Sequence, residues 1–209
     1  MKRVCRFALL LTVALCVSGL PMGASVIFSD FGPGHSYQEF PGWTISGTDS
    51  GVGEYAPAAP FTAAVTGNVS QIDVALGLIV GDGLATVSLW TDSGGLPGTQ
   101  LGSWNVTAPG VVTVGGLAGP SLTAGETYFL AIVSDAGTWA VWGGNNQGFS
   151  GPLAESYDGG LSWVGNGGGP LGAFDILGSS ASVPEPATVV LLGAGLLCLL
   201  ARARKRAVR

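Results

Sequence analysis

The chain has 209 residues, of which only 10% are charged, against about 25% in an ordinary soluble domain. Glycine supplies 36 residues and proline 12, while 47% of the chain is hydrophobic. That composition permits a packed core and excludes a coiled coil, a helical bundle and a disordered chain. All eight basic residues lie within residues 2–6 and 202–209, and all thirteen acids lie between Asp30 and Glu185. A body without Lys or Arg repels phosphate backbones, so no nucleic-acid partner is expected, and it has no cation to clamp an anion.

Residues 1–25 read as a signal peptide addressed to the Sec translocon. Lys2, Arg3 and Arg6 precede an apolar run over 7–17, and the small residues Gly23, Ala24 and Ser25 follow. That order predicts cleavage after Ala24 or Ser25. Cys5 and Cys16 fall in this segment and Cys198 near the opposite end, which leaves the body without cysteine. The body therefore has no disulfide, no thiol nucleophile and no thiolate metal ligand.

The body, residues 26–182, suits one domain with a sizeable core. Residues 26–59 are irregular and predict an edge strand with long loops. From residue 71 onward the pattern alternates. Ile72, Val74, Leu76 and Leu78 fall on one face of a strand, as a period of two requires. Further strands are predicted at 85–89, 101–106, 111–117, 127–133, 138–142, 155–157 and 174–177. Between them stand turn sequences such as Gly81-Asp82-Gly83 and Asp158-Gly159-Gly160. Short strands and frequent turns predict an all-β domain, an antiparallel sandwich or jelly roll. Several stretches carry a likeness: Val87-Ser88-Leu89-Trp90-Thr91-Asp92, Gly95-Leu96-Pro97-Gly98 and Leu122-Thr123-Ala124-Gly125-Glu126-Thr127-Tyr128. With them, residues 61–174 resemble the choice-of-anchor R domain, a module found ahead of surface anchors. That resemblance implies location and a sandwich-like fold but no reaction.

Chemistry is sparse. His35 is the single histidine, so a Ser-His-Asp triad would have to use it. Its setting, Gly32-Pro33-Gly34-His35-Ser36, reads as a surface loop. Ser150 lacks the final glycine of a nucleophile elbow. A zinc site of the usual kind is disfavoured, because one histidine and no cysteine leave only carboxylates. Asp82, Asp92 and Asp158 sit in turns and offer the hard oxygen donors that a structural calcium ion takes; no other cofactor is expected. Trp90, Trp139 and Trp142 are candidate glycan contacts, since an indole face covers the apolar face of a sugar, and core packing is the alternative. A carboxylate pair for glycoside hydrolysis cannot be located by spacing alone.

Residues 183–209 have three parts. Val183, Pro184, Glu185 and Pro186 come first. An apolar run over 187–201 follows, and Arg202, Arg204, Lys205 and Arg206 begin the basic tail over 202–209. Pro186 suits the first turn of a helix, and the tail is held in the cytoplasm by the positive-inside rule. A fifteen-residue helix spans only about 22 Å, short of the hydrocarbon thickness of about 30 Å. The three parts together resemble the PEP-CTERM sorting signal. The resemblance implies recognition by an exosortase near Pro184-Glu185-Pro186, transient inner-membrane anchoring, and a Gram-negative host that makes exopolysaccharide. The expected function is an exported, non-catalytic surface or biofilm-matrix protein. The alternatives are a carbohydrate-binding module using exposed tryptophans and, behind it, a glycoside hydrolase.

Overall fold

Alternating apolar residues bury one face of each strand, and the described residues do so with strands alone. The computed structural model describes residues 24–179, which contain no helix. Most of the signal peptide, the sorting residues Val183, Pro184, Glu185 and Pro186, the helix expected at 187–201 and the basic tail lie outside the described residues. The strands in chain order are β1 (Ala24–Ser29), β2 (Gln38–Ser46), β3 (Ala56–Thr62), β4 (Gly67–Val80), β5 (Leu84–Asp92), β6 (Pro97–Thr107), β7 (Gly110–Gly115), β8 (Ser121–Leu122), β9 (Thr127–Ser134), β10 (Trp139–Gly144), β11 (Ser150–Gly151), β12 (Ala154–Ser156), β13 (Val164–Gly165), β14 (Gly169–Pro170) and β15 (Phe174–Ser179).

All strand pairings are antiparallel. A seven-stranded sheet runs β1-β15-β4-β10-β2, with β7 and β8 also paired to β4. A six-stranded sheet runs β13-β12-β3-β9-β5-β6, and β11 and β14 form a separate ribbon. One buried cluster takes Ile72, Val74, Leu76, Trp142 and Phe174 from the first sheet, and Phe61, Val87, Leu89, Leu130 and Ile132 from the second. The inner faces of both sheets thus share a core. The even-numbered residues read from β4, Ile72, Val74 and Leu76, are the ones in that core.

Residues 26–59 depart from their expected irregularity, because they hold β2 and β3. Pro57 and Pro60 hide β3, since proline cannot complete a ladder on both sides. Their positions resolve the conflict. β12 pairs with Ala56–Ala58 and β9 with Ala58–Thr62. Each proline therefore has a neighbour on one side only.

The last strand, β15, lies between β1 and β4. Ala24 pairs with Ser179 and Ser25 with Gly178, and the Ser25 hydroxyl donates to the Gly178 carbonyl at 3.1 Å. The two ends of the body leave side by side. Cleavage after Ala24 would keep the Ser25 contact; cleavage after Ser25 would remove it.

Candidate functional site

The three tryptophans singled out from sequence occupy three different environments. Trp142 is fully buried, and its indole N–H donates to the Ala173 carbonyl at 3.1 Å. Its candidacy as a glycan contact is corrected: β10 alternates toward the core at this position. Trp90 lies on the outer face of the six-stranded sheet, packed edge-on to Trp163 at 5.9 Å over a small cluster of Ala58, Phe129, Ala131 and Ala154. Its N–H donates to the Ser88 hydroxyl at 2.8 Å. Trp139 is half-buried and lines a shallow depression of about 420 Å³ with Trp43, Thr44, Ser46 and Tyr55. The Trp139 indole nitrogen has no hydrogen-bond partner.

Beside that depression, Glu155 accepts from the hydroxyls of Tyr55 at 2.5 Å and Tyr157 at 2.7 Å, and also from the Asn166 amide. Burial would raise the Glu155 carboxyl, but these three donors outweigh it and hold the group below its usual range. The same contact, after burial, pushes the Tyr55 phenol up. Tyr55 is therefore a fixed wall of the depression.

Asp82, Asp92 and Asp158 do not share an ion. Asp82 precedes β5 and Asp92 ends it, which sets them roughly 30 Å apart at about 3.3 Å per residue. Each serves its own turn. Asp82 accepts from Leu84 N and Thr138 Oγ1, and Asp92 accepts from Gly95 N. Asp158 accepts from Ser156 Oγ, Ser162 N and Ser162 Oγ. The Ser162 hydroxyl, followed by the Ser162 N–H and the Ser156 hydroxyl, lowers the Asp158 carboxyl to about 2.

A different group does converge. Asp73 on β4 and Asp175 on β15 stand directly opposite each other. Like charges in that position are destabilising. Both are buried, on the face of the seven-stranded sheet that points away from the shared core. The segment after β1 covers them, with Phe31, Ala75, Ala173 and Tyr37 packed together. A tight hairpin closed by Gly32 N to Ser36 O at 2.8 Å carries His35 at its tip. His35 adopts φ 57°, an uncommon left-handed conformation outside glycine. Its ring stacks on Phe31 at 5.1 Å, and its Nε2 lies 3.4 Å from Asp175 Oδ2. His35 is thus an exposed loop residue, as expected, but one that faces two carboxylates.

Asp73 accepts from Gln71 Nε2 and Thr113 Oγ1. Asp175 Oδ1 has no partner. Asp30, fully buried nearby, accepts from Phe174 N through Oδ1, while its Oδ2 has no partner. Burial, with the Asp175 charge adding to it, pushes Asp30 up to about 7. Burial also raises Asp175, partly offset by the Ser29 hydroxyl and by His35. Among the described residues, His35, Asp73 and Asp175 are the group whose ligand atoms come together, all within 4.8 Å.

Sequence spacing does not reveal this group, because residues 35, 73 and 175 meet only through the β4–β15 register and the hairpin. A signal was present in Ile72-Asp73-Val74 and Phe174-Asp175-Ile176. Each carries an acid inside an apolar strand, in a body that has no Lys or Arg to neutralise it.

The PEP-CTERM protein-sorting motif matches residues 182–205 of the chain. The motif indicates exosortase-dependent sorting to the cell surface, with an exosortase as the processing partner. No curated protein and no solved structure matches the chain.

Proposed function

We propose that the chain is a non-catalytic surface or extracellular-matrix protein of an exopolysaccharide-producing Gram-negative bacterium. Sec export, transient inner-membrane anchoring and exosortase cleavage near Pro184-Glu185-Pro186 place it outside the cell. The observation that carries the reading is the sorting motif at residues 182–205. The body is a β-sandwich of the choice-of-anchor R kind, a reading supported by two antiparallel sheets that contribute to one core. Its role is structural: an acidic surface without Lys or Arg keeps exported copies apart by self-repulsion or lets divalent cations bridge them. Fractionation of the native host tests this reading. The protein should reside in the matrix or surface fraction and move to the inner membrane when the exosortase is deleted. An unchanged distribution would refute it.

A second reading, carbohydrate binding, is favoured by the Trp139 depression. Trp43, Tyr55 and Trp139 supply aromatic walls. Pull-down by host polysaccharide should weaken at least tenfold in Trp139→Ala, while Trp90→Ala should have little effect. Equal retention of both variants would sink the reading.

A further inference from the structure

Burying carboxylates is costly unless a cation or proton compensates them. The β4–β15 register forces Asp73 and Asp175 face to face beneath the 30–37 segment. Asp30, fully buried alongside, adds a third carboxyl. No Lys or Arg exists between Arg6 and Arg202 to pair with them. His35 is the one nitrogen base in that span, and the hairpin presents it to the pair in a left-handed conformation. Residues held in such conformations cluster at ligand clamps. A buried oxygen of Asp175 and one of Asp30 each lack any donor. Unsatisfied buried oxygens are rare, and a proton, a water or an ion satisfies them.

We propose that His35, Asp73 and Asp175 bind one divalent transition-metal ion of the zinc or manganese kind. One imidazole and two carboxylates are a mixed donor set. The nitrogen favours first-row ions over calcium or magnesium, and the carboxylates accept zinc or manganese alike. Ligand bonds of about 2.0–2.2 Å set donor atoms about 3.5 Å apart around a tetrahedral ion. The three donors already lie within 4.8 Å of one another, and His35 sits on an exposed hairpin tip that can close the remainder. Gln71 and Thr113 hold Asp73 in place by hydrogen bonds, as partners behind a metal ligand do. The ion would pin the hairpin to the sheet and neutralise the facing charges.

The test uses the full-length chain in detergent, stripped with a chelator, with Cys5, Cys16 and Cys198 alkylated so that only the body reports. Equilibrium dialysis against Zn²⁺ and, separately, Mn²⁺ should give one equivalent bound in at least one arm, with a rise in melting temperature. His35→Ala removes an exposed side chain outside the core; with its fold checked by far-ultraviolet circular dichroism, it should weaken binding at least tenfold. Asp175→Asn should abolish binding and raise the melting temperature of the metal-free protein, because the facing charge is gone. If Asp175→Asn fails to fold, His35→Ala alone decides. Absence of binding in both arms would overturn the proposal and leave the carboxylates sharing protons. Equal binding by His35→Ala and the unsubstituted chain would overturn it too.

Discussion

Replacing Trp142 by alanine should destabilise the body rather than weaken any surface contact. The indole is fully buried, packs against Phe174 at 5.7 Å, and donates to the Ala173 carbonyl. Truncating a buried tryptophan costs about 3–5 kcal/mol through lost transfer energy and the cavity left behind. In a domain of this size that lowers the melting temperature by about 10 °C. Phenylalanine at the same position keeps part of the ring and loses only the indole bond, since the Ala173 carbonyl still accepts from Ala75 N at 3.1 Å, a cost of about 0.5–1.5 kcal/mol. Urea unfolding followed by far-ultraviolet circular dichroism separates the three proteins. Trp142→Ala should have the lowest midpoint and Trp142→Phe an intermediate one. A midpoint for Trp142→Ala within error of the unsubstituted protein would refute the assignment of this tryptophan to the core. So would loss of polysaccharide binding with stability intact.

Two other substitutions probe the same physics elsewhere. Gly172→Ala would place a methyl group 2.3 Å from the Trp142 indole. It should cost about 1–3 kcal/mol by overpacking, read as a lower urea midpoint. The Asp158 carboxyl, lowered from 3.8 to about 2 by its serine donors, stabilises the turn after β12 above about pH 4 and loses that contribution as the pH falls toward 2. Asp158→Asn should flatten the pH dependence of the melting temperature between pH 4 and 2. An unchanged acid limb would contradict the capping role.

Alternation made much of the fold legible. Ile72, Val74 and Leu76 announce the buried face of β4, and that face alone sets which side meets the second sheet. β3 was obscured because Pro57 and Pro60 argue locally against a strand, and only the staggered reach of β12 and β9 makes them tolerable. The outer face of β4 misleads in another way. Asp73 and Ala75 alternate outward, as polar and small residues should, yet both are buried by the chain that follows β1. Periodicity reports which side of a strand faces the core, not what a distant loop later covers. The same limit applies to the tryptophans. Trp142 faces the core and Trp139 is half-buried, and sequence could not say which of the two faced inward. The turn aspartates were legible as turn residues. Their separation was fixed by strand length, which the spacing of Asp82 and Asp92 already implied.

Mass-spectrometric mapping of both ends of the protein recovered from its native host tests the central claim, that the body is exported and cut at its sorting motif. The account predicts a first residue at Ser25 or Val26 and a last residue close to Glu185, with no peptides from 187–209. Recovery of intact chains retaining residues 187–209 from the membrane fraction would contradict it, and would make the protein a permanently anchored ectodomain.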